Sequence, residues 1–323
     1  FHFHFRGVDG RRPHPKPRPM APLHPRLLAS WLFLVFAGCL AAQSSPSAGG
    51  TDPSAKTVFF DDFAGDALDR TKWNVVVTGQ WVNNEQQAYV DAPEVIRIVH
   101  GAEAEGAANG ALEIRAVYRS GFVTPNNRKF EFVSGRLDTR GKFEAAYGTW
   151  AARMKLPAGA GLWPAFWALG TGRWPDTGEV DIMEYVGGVD WVSAALHGPG
   201  YSGNTPLVKR TTLPTGRGPT GWHIYSVDWS PAEFLFKVDG ETYYQVTRAM
   251  IEKYGRYAYE NPKFVILNLA LGGNYPMSVN GEKGPPHAGL PADTIQLIKD
   301  GKAKVLVDWV RVTQAPVQMA APP

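Results

Sequence analysis

The stretch Gly178-Glu179-Val180-Asp181-Ile182-Met183-Glu184-Tyr185 constrains this chain more than any other. Its apolar and β-branched residues read as a strand, and in a strand residues two apart share a face. Glu179 and Asp181 therefore point one way, while Val180 and Ile182 point into the opposite layer. Three acids on one such segment cannot face a dry core, because each buried ionised carboxylate would need a paired charge. The sheet that holds them must meet water on that side, in a cleft or on open surface. Glu184 lies at an odd offset from Glu179, which places it on the wrong face of a regular strand. One extra residue, a bulge near Ile182-Met183, returns it to the face of the other two while both apolar residues stay largely buried.

The flanking sequence extends the same pattern. Val58–Phe60, Ala111–Val117, Thr149–Leu156, His223–Trp229, Phe234–Val238, Phe264–Leu271 and Lys304–Val312 are β-branched or aromatic runs, several alternating with period two. Val238-Asp239-Gly240-Glu241 between two of them reads as a hairpin turn. Only Thr247 to Tyr257 suggests a short helix. Many strands without βαβ alternation predict an all-β fold, an antiparallel β-sandwich or jelly roll. No second linker, repeat or charge block interrupts residues 57–314, so one domain is expected there, with 315–323 a disordered tail.

Charge argues against one class of partner. The 323 residues carry a formal net charge of +3, but residues 1–50 hold six Lys/Arg against one acid. The remainder has 27 basic and 29 acidic residues and no basic run, so nucleic acid is not an expected partner. Residues 1–19, rich in His, Arg and Pro, read as non-native translation upstream of Met20. Residues 20–42 read as a secretory signal peptide whose apolar run, Leu27 to Leu40, is too short to span a membrane. No transmembrane segment is expected in the mature protein. Cys39, the single cysteine, ends Phe36-Ala37-Gly38-Cys39. It is either a lipobox cysteine, making an outer-surface lipoprotein, or a small residue in an ordinary signal cut at Ala41 or Ala42. Both imply export, to the periplasm or medium, and a mature domain without thiols. Residues 43–56 are a flexible linker. Nothing signals an oligomer, and a monomer is the default.

Two glutamates with an aspartate between them are the set that glycoside hydrolysis needs. One carboxylate attacks the anomeric carbon, another of raised pKa protonates the leaving oxygen, and the middle acid keeps their pKa values apart. Trp163, Phe166, Trp167 and Trp174 precede the acids and Trp191 follows, and ten of the 11 Trp lie beyond residue 45. Aromatic faces beside carboxylates suit sugar rings. The competing reading is a solvated strand face with ordinary surface acids.

Glu179-Val-Asp-Ile-Met-Glu184 resembles the E-[ILV]-D-x-x-E signature of glycoside hydrolase family 16 in its bulged six-residue form. The resemblance runs from Phe60-Asp-Asp-Phe-Ala-Gly65 to Val307-Asp-Trp-Val-Arg-Val312. Asn83-Asn84-Glu85, Ser134-Gly-Arg-Leu137, Gly161-Leu-Trp-Pro-Ala-Phe-Trp167 and His197-Gly-Pro-Gly-Tyr-Ser-Gly203 are most similar to its laminarinase, or endo-β-1,3-glucanase, branch. The resemblance implies a concanavalin-like β-jelly roll with a concave substrate cleft, and cleavage of internal β-1,3 bonds of a β-glucan with retention. It implies Glu179 as nucleophile, Glu184 as acid/base and Asp181 as the assisting acid. By the same carry-over Trp163 and Trp167 line the glycone side, His197 sits near the scissile bond and Asn84 bonds a glycone sugar.

No cofactor is implied for catalysis. Asp62, Gly110 and Asp308 fall where many family members hold a structural calcium, although acids near chain ends are equally often plain surface residues. Asp176-Thr177, Gln86-Gln87-Ala88-Tyr89, Tyr275 and a long loop from Ser120 to Phe132 depart from the commoner laminarinase pattern and bear on linkage preference. A mixed-linkage β-1,3-1,4-glucanase, an agarase-like hydrolase and a non-catalytic β-glucan-binding protein of the same fold are the alternatives. All three acids in register weigh against the last. His100 and His223 are expected to be structural or surface residues, and Asn268 and Asn274 are candidates to line the cleft.

Overall fold

The computed structural model describes residues 54–78, 82–214 and 216–315. The upstream segment 1–19, the signal 20–42 with Cys39, most of the linker and all but the first residue of the tail lie outside the described residues. The strands run, in chain order, β1 (Lys56–Asp61), β2 (Asn74–Val75), β3 (Gln87–Tyr89), β4 (Ile96–Val99), β5 (Ala111–Arg115), β6 (Val117–Val123), β7 (Lys129–Ser134), β8 (Arg136–Asp138) and β9 (Gly148–Lys155). They continue as β10 (Leu162–Gly170), β11 (Glu179–Glu184), β12 (Trp191–His197), β13 (Leu207–Thr212), β14 (Trp222–Trp229), β15 (Glu233–Val238), β16 (Glu241–Thr247), β17 (Lys263–Leu271) and β18 (Lys304–Gln314). The expected runs became strands, except that Ala111–Val117 breaks at Ala116 into β5 and the start of β6, and the expected turn joins β15 to β16 with Asp239 and Gly240 both at positive φ, as a two-residue hairpin requires.

Two sheets form the sandwich. One has the order β16-β15-β14-β9-β18-β5-β4, with β1 also on β18; the other runs β13-β12-β11-β10-β17-β8-β2. Neighbours that are not consecutive in the chain show it crossing between layers, from β9 into β10–β13 and back into β14, as a jelly roll demands. One core fills the space between the sheets. Trp150, Met154, Tyr225, Val227 and Val305 come from the first, and Phe166, Val180, Met183, Leu196, Val265 and Leu267 from the second. Strand β17 is buried along its whole length. Its inner residues face this core, and on its other side Phe264 lies under the Arg140 guanidinium.

Three details differ from expectation. Ser120 to Phe132 is mostly the β6–β7 hairpin rather than a long loop, and β3 pairs with β7 in parallel to complete a small third sheet. The expected helix shrinks to α1 (Arg248–Ile251), capped by the Thr247 hydroxyl on the Met250 N–H. Two more helices appear, α2 (Asn274–Asn280) and α3 (Ala292–Lys299). In α2 a proline near the start and a left-handed Gly281 at the end disguise a short helix as a loop.

Candidate active site

Strand β11 lies inside the seven-stranded sheet, hydrogen-bonded to β10 on one side and β12 on the other. Glu179 faces Leu169 and His197, Asp181 faces Trp167 and Ala195, and Glu184 faces Ala165 and Ser193. From Asp181 to Glu184 strand β11 advances three residues while each neighbour advances two. This is the extra residue of a bulge. Val180, Ile182 and Met183 are 1%, 2% and 0% exposed, so the apolar residues remain in the core while the three acids share the outer face.

Indole donors hold the two glutamates. Trp174 Nε1 donates to Glu179 Oε2 at 2.7 Å and Trp163 Nε1 to Glu184 Oε1 at 3.0 Å. His197 Nε2 lies 3.4 Å from Asp181 Oδ2 and 4.0 Å from Glu179 Oε1. Its Nδ1 accepts the Gly203 N–H at 3.2 Å, which puts the ring proton on Nε2, facing the acids. Ligand atoms of Glu179, Asp181 and His197 fall within 4.8 Å of one another, close enough to suggest a metal. A histidine that binds metal through Nε2 donates from Nδ1, and here a backbone N–H occupies that direction. The trio is a close cluster in which the imidazole N–H faces two carboxyl groups, rather than a metal centre.

Burial and mutual repulsion raise all three acids. Burial, then the Asp181 charge, pushes Glu179 up to about 8. Burial pushes Glu184 up to about 7 against the opposing Trp163 N–H, with the Glu179 charge raising it further. Asp181 is raised well above the carboxylate range by burial and the Glu184 charge, and its Oδ2 has no hydrogen-bond partner. Like charges this close cannot all ionise near neutrality, so the cluster retains protons there.

An aromatic and amide arm extends from the acids across β10 and β17. Trp167 Nε1 donates to Asn268 Oδ1 at 2.7 Å, Asn268 Nδ2 donates to Tyr89 Oη at 3.1 Å, and the Arg136 guanidinium covers the Trp167 ring. Trp163 meets the edge of Tyr275, whose hydroxyl reaches Ser193 Oγ at 3.2 Å. Asn84 lies on the loop before β3, half-buried, with its carbonyl accepting Gln86 Nε2. Asn274 N–H bonds the Asn83 carbonyl at 2.7 Å, joining that loop to the start of α2 beside Tyr275.

A family model, glycosyl hydrolases family 16, matches residues 73–285. The chain belongs to family 16. It is 32% identical over 298 residues to a β-glucanase of Rhodothermus marinus, covering 88% of this chain and 93% of that one. The solved endo-β-1,3-glucanase of Pyrococcus furiosus is 32% identical with a TM-score of 0.67, over 80% of this chain and 94% of that one. A solved non-specific endo-β-1,3(4)-glucanase of the family is 30% identical with a TM-score of 0.68, over 84% of this chain and 94% of that one. This family 16 chain is thus a glycoside hydrolase with a jelly-roll fold and a laminarinase-like sequence.

Of the expected site residues, the structure joins Glu179, Asp181, Glu184, Trp163 and His197 directly and connects Trp167 through β10. The expected calcium ligands do not make a cradle as they stand. Asp308 is buried with one oxygen on Arg153 and the other accepting the Ala108 N–H; Asp62 accepts the Asn109 amide; Gly110 packs on His100 and the Phe63 carbonyl. A cation needs free, converging oxygens; both oxygens of Asp308 and one of Asp62 already have protein donors. His223 is structural, as expected, bonded to Asp239 and the Gly218 carbonyl. Sequence reasoning noticed Trp174 and Tyr275 without giving either a partner and left Ser193 and Arg136 unassigned. The cue for Trp174 was its position five residues before Glu179, within reach across one tight loop.

Proposed function

We propose that the protein is an exported endo-β-1,3-glucanase acting on laminarin-type β-glucans with retention of configuration. The observation that carries this reading is the bulged β11, which puts Glu179, Asp181 and Glu184 on one face with a separate indole donor for each glutamate. Glu179 attacks the anomeric carbon while Glu184 gives its proton to the departing glycosidic oxygen. The C–O bond breaks, and a glycosyl ester on Glu179 and a shortened chain result. Glu184, now a carboxylate, takes a proton from water, and the hydroxide oxygen displaces Glu179.

Asp181 decides which carboxyl is ionised. Being the most buried, it is where the shared proton rests in the reactive form; while Asp181 is ionised, its charge and its hydrogen bond both raise Glu179. In the fraction of molecules where the proton sits on Asp181, the charge that raised Glu179 is gone and the nucleophile is anionic. The His197 Nε2–H steadies the same pair. Trp163 and Trp167 offer ring faces, and Asn84 a side-chain amide, to glycone sugars. The acid cluster and sequence likeness to endo-β-1,3-glucanases support the substrate; the apolar run at 27–40 supports export, by plain cleavage or by lipidation at Cys39. Among the described residues no helix is long and apolar enough to cross a membrane.

The likeness to a non-specific endo-β-1,3(4)-glucanase, together with Tyr275 beside Trp163, favours some tolerance of β-1,4 links as a second reading. Product release from laminarin, lichenan and agarose tests both. Short oligosaccharides from laminarin are the expected result. Cleavage of agarose with laminarin intact would overturn the substrate, and cleavage of lichenan as fast as laminarin would establish the second reading.

A further inference from the structure

Behind the nucleophile sits a buried cation that the mechanism does not use. Lys263 opens β17 and is 0% exposed. Its ammonium lies over the rings of Trp229 and Tyr259, 5.5 and 5.3 Å from their centroids. Three neutral oxygens surround it: the Thr177 carbonyl at 2.6 Å, Asn261 Oδ1 at 3.2 Å and the Ala258 carbonyl at 3.5 Å. With no acid to offset it, burial pushes the ammonium down to about 7. An unpaired buried lysine is costly, and an apolar residue would fill the space without that cost.

What the lysine holds is the base of the loop that leads into Glu179. The Thr177 carbonyl takes a second donor from Asn261 Nδ2 at 3.1 Å, and Thr177 Oγ1 reaches back to the Gly170 carbonyl at 3.3 Å. Gly178, at φ +71°, is pressed so closely to this base that a Cβ would lie 2.6 Å from the Ala258 carbonyl and 2.8 Å from the Tyr259 ring. At the exposed tip of the same loop is Trp174, whose indole bonds Glu179 Oε2. Each end of the loop therefore fixes one side of Glu179: the backbone through Thr177 and Gly178, the carboxylate through Trp174.

We propose that Lys263 is a positioning residue: its ammonium clamps the Thr177 carbonyl and so seats the loop that carries Trp174 onto the attacking carboxylate of Glu179. A lysine suits the task because three donors radiate from one compact head, matching three carbonyl-type acceptors; a guanidinium is planar and larger. This inference rests on Glu179 being the nucleophile.

The test compares the wild type with K263M, W174F, the double variant and E179Q on laminarin oligosaccharides, following kcat, KM and the pH profile. K263M and W174F are each expected to lower kcat about tenfold to a hundredfold, with KM within about threefold, because misplacing a reacting group costs rate more than binding. The double variant should be no slower than the slower single one, since both act through one contact. In both single variants the acid limb, which reports ionisation of Glu179 among Trp174, His197, Asp181, Glu184 and Tyr259, should move to higher pH. Wild-type kcat and acid limb in K263M, or losses that multiply in the double variant, would overturn the proposal. Should K263M not fold, N261A removes the other donor on the same carbonyl: a smaller drop in kcat with the same limb shift supports the clamp, and an unchanged profile refutes it. Activity retained in E179Q would instead remove the nucleophile assignment. A silent E179Q beside a wild-type K263M would remove the clamp alone.

Discussion

Two groups of buried acids in this molecule have opposite fates. Glu113 on β5 is 0% exposed, and three cations close on it: Arg97, Arg115 and Lys304, each at 2.9 Å. Burial alone would raise it, yet the bonds from Arg97 and Lys304 and the nearby charge of Arg115 leave it lowered. Asp181 is buried and Glu179 and Glu184 are partly buried; the glutamates have indole donors instead of ammonium and guanidinium groups, and all three acids are raised. Burial raises every one of these acids, and the countercharge supplied at Glu113 reverses the direction there. An acid matched by cations holds sheet strands together; acids denied them retain protons that chemistry can use.

The sharpest way to break this contrast is to neutralise one acid from each group. Glu179→Gln or Glu184→Gln is expected to lower laminarin turnover by about a thousandfold or more, measured as reducing-sugar release. Glu113→Gln should leave kcat within about threefold wherever the protein is folded. Comparable losses in both groups would abolish the distinction.

Stability should move the other way. Glu113→Gln leaves Arg97, Arg115 and Lys304 crowded around a neutral amide and is expected to cost about 1–3 kcal/mol in urea unfolding. Glu179→Gln removes a carboxylate that the fold disfavours, and the sign follows from its raised pKa. Between about pH 4.5, where the unfolded chain loses this proton, and about 8, where the folded protein does, wild-type stability falls as pH rises. The variant lacks that slope, so its Tm should exceed the wild type's by a few degrees at pH 8.5 and match it near pH 4. Glu113, lowered by folding, contributes stability above the unfolded value that is lost as pH falls through its folded value. The two groups should thus titrate stability in opposite senses across separate windows, which a Tm series from pH 3 to 9 resolves.

The smallest effect concerns one hydrogen bond. Trp163→Phe keeps the ring and removes the N–H that lowers Glu184, so its pKa should rise. The alkaline limb of kcat/KM, which needs Glu184 protonated, should move up by less than about one pH unit. A limb that stays in place would detach Trp163 from the acid/base role.

How much of this was readable in the chain depended on distance along it. The odd offset of Glu184 revealed the bulge, because alternation is local and a misplaced acid stands out within six residues. The strands were legible for the same reason. Parallel pairing of β3 with β7 was not, since no period encodes which strand lies alongside. Lys263 precedes the apolar run Phe264–Leu271 with nothing local to mark it as buried; its partner Thr177 lies 86 residues away. The ion pair of Asp308 with Arg153, 155 residues away, was equally hidden from local pattern. Local patterns placed the reactive groups, and contacts made only on folding decided what holds them.

The most direct test of Glu179 as the attacking carboxylate is covalent trapping. A 2-deoxy-2-fluoro β-glucan oligosaccharide with a good leaving group slows the second step, and peptide mapping by mass spectrometry then locates the sugar. The expected result is a stoichiometric glycosyl adduct on the peptide containing Glu179, released when an acceptor is added. An adduct on Glu184, or none together with a product of inverted configuration, would contradict it.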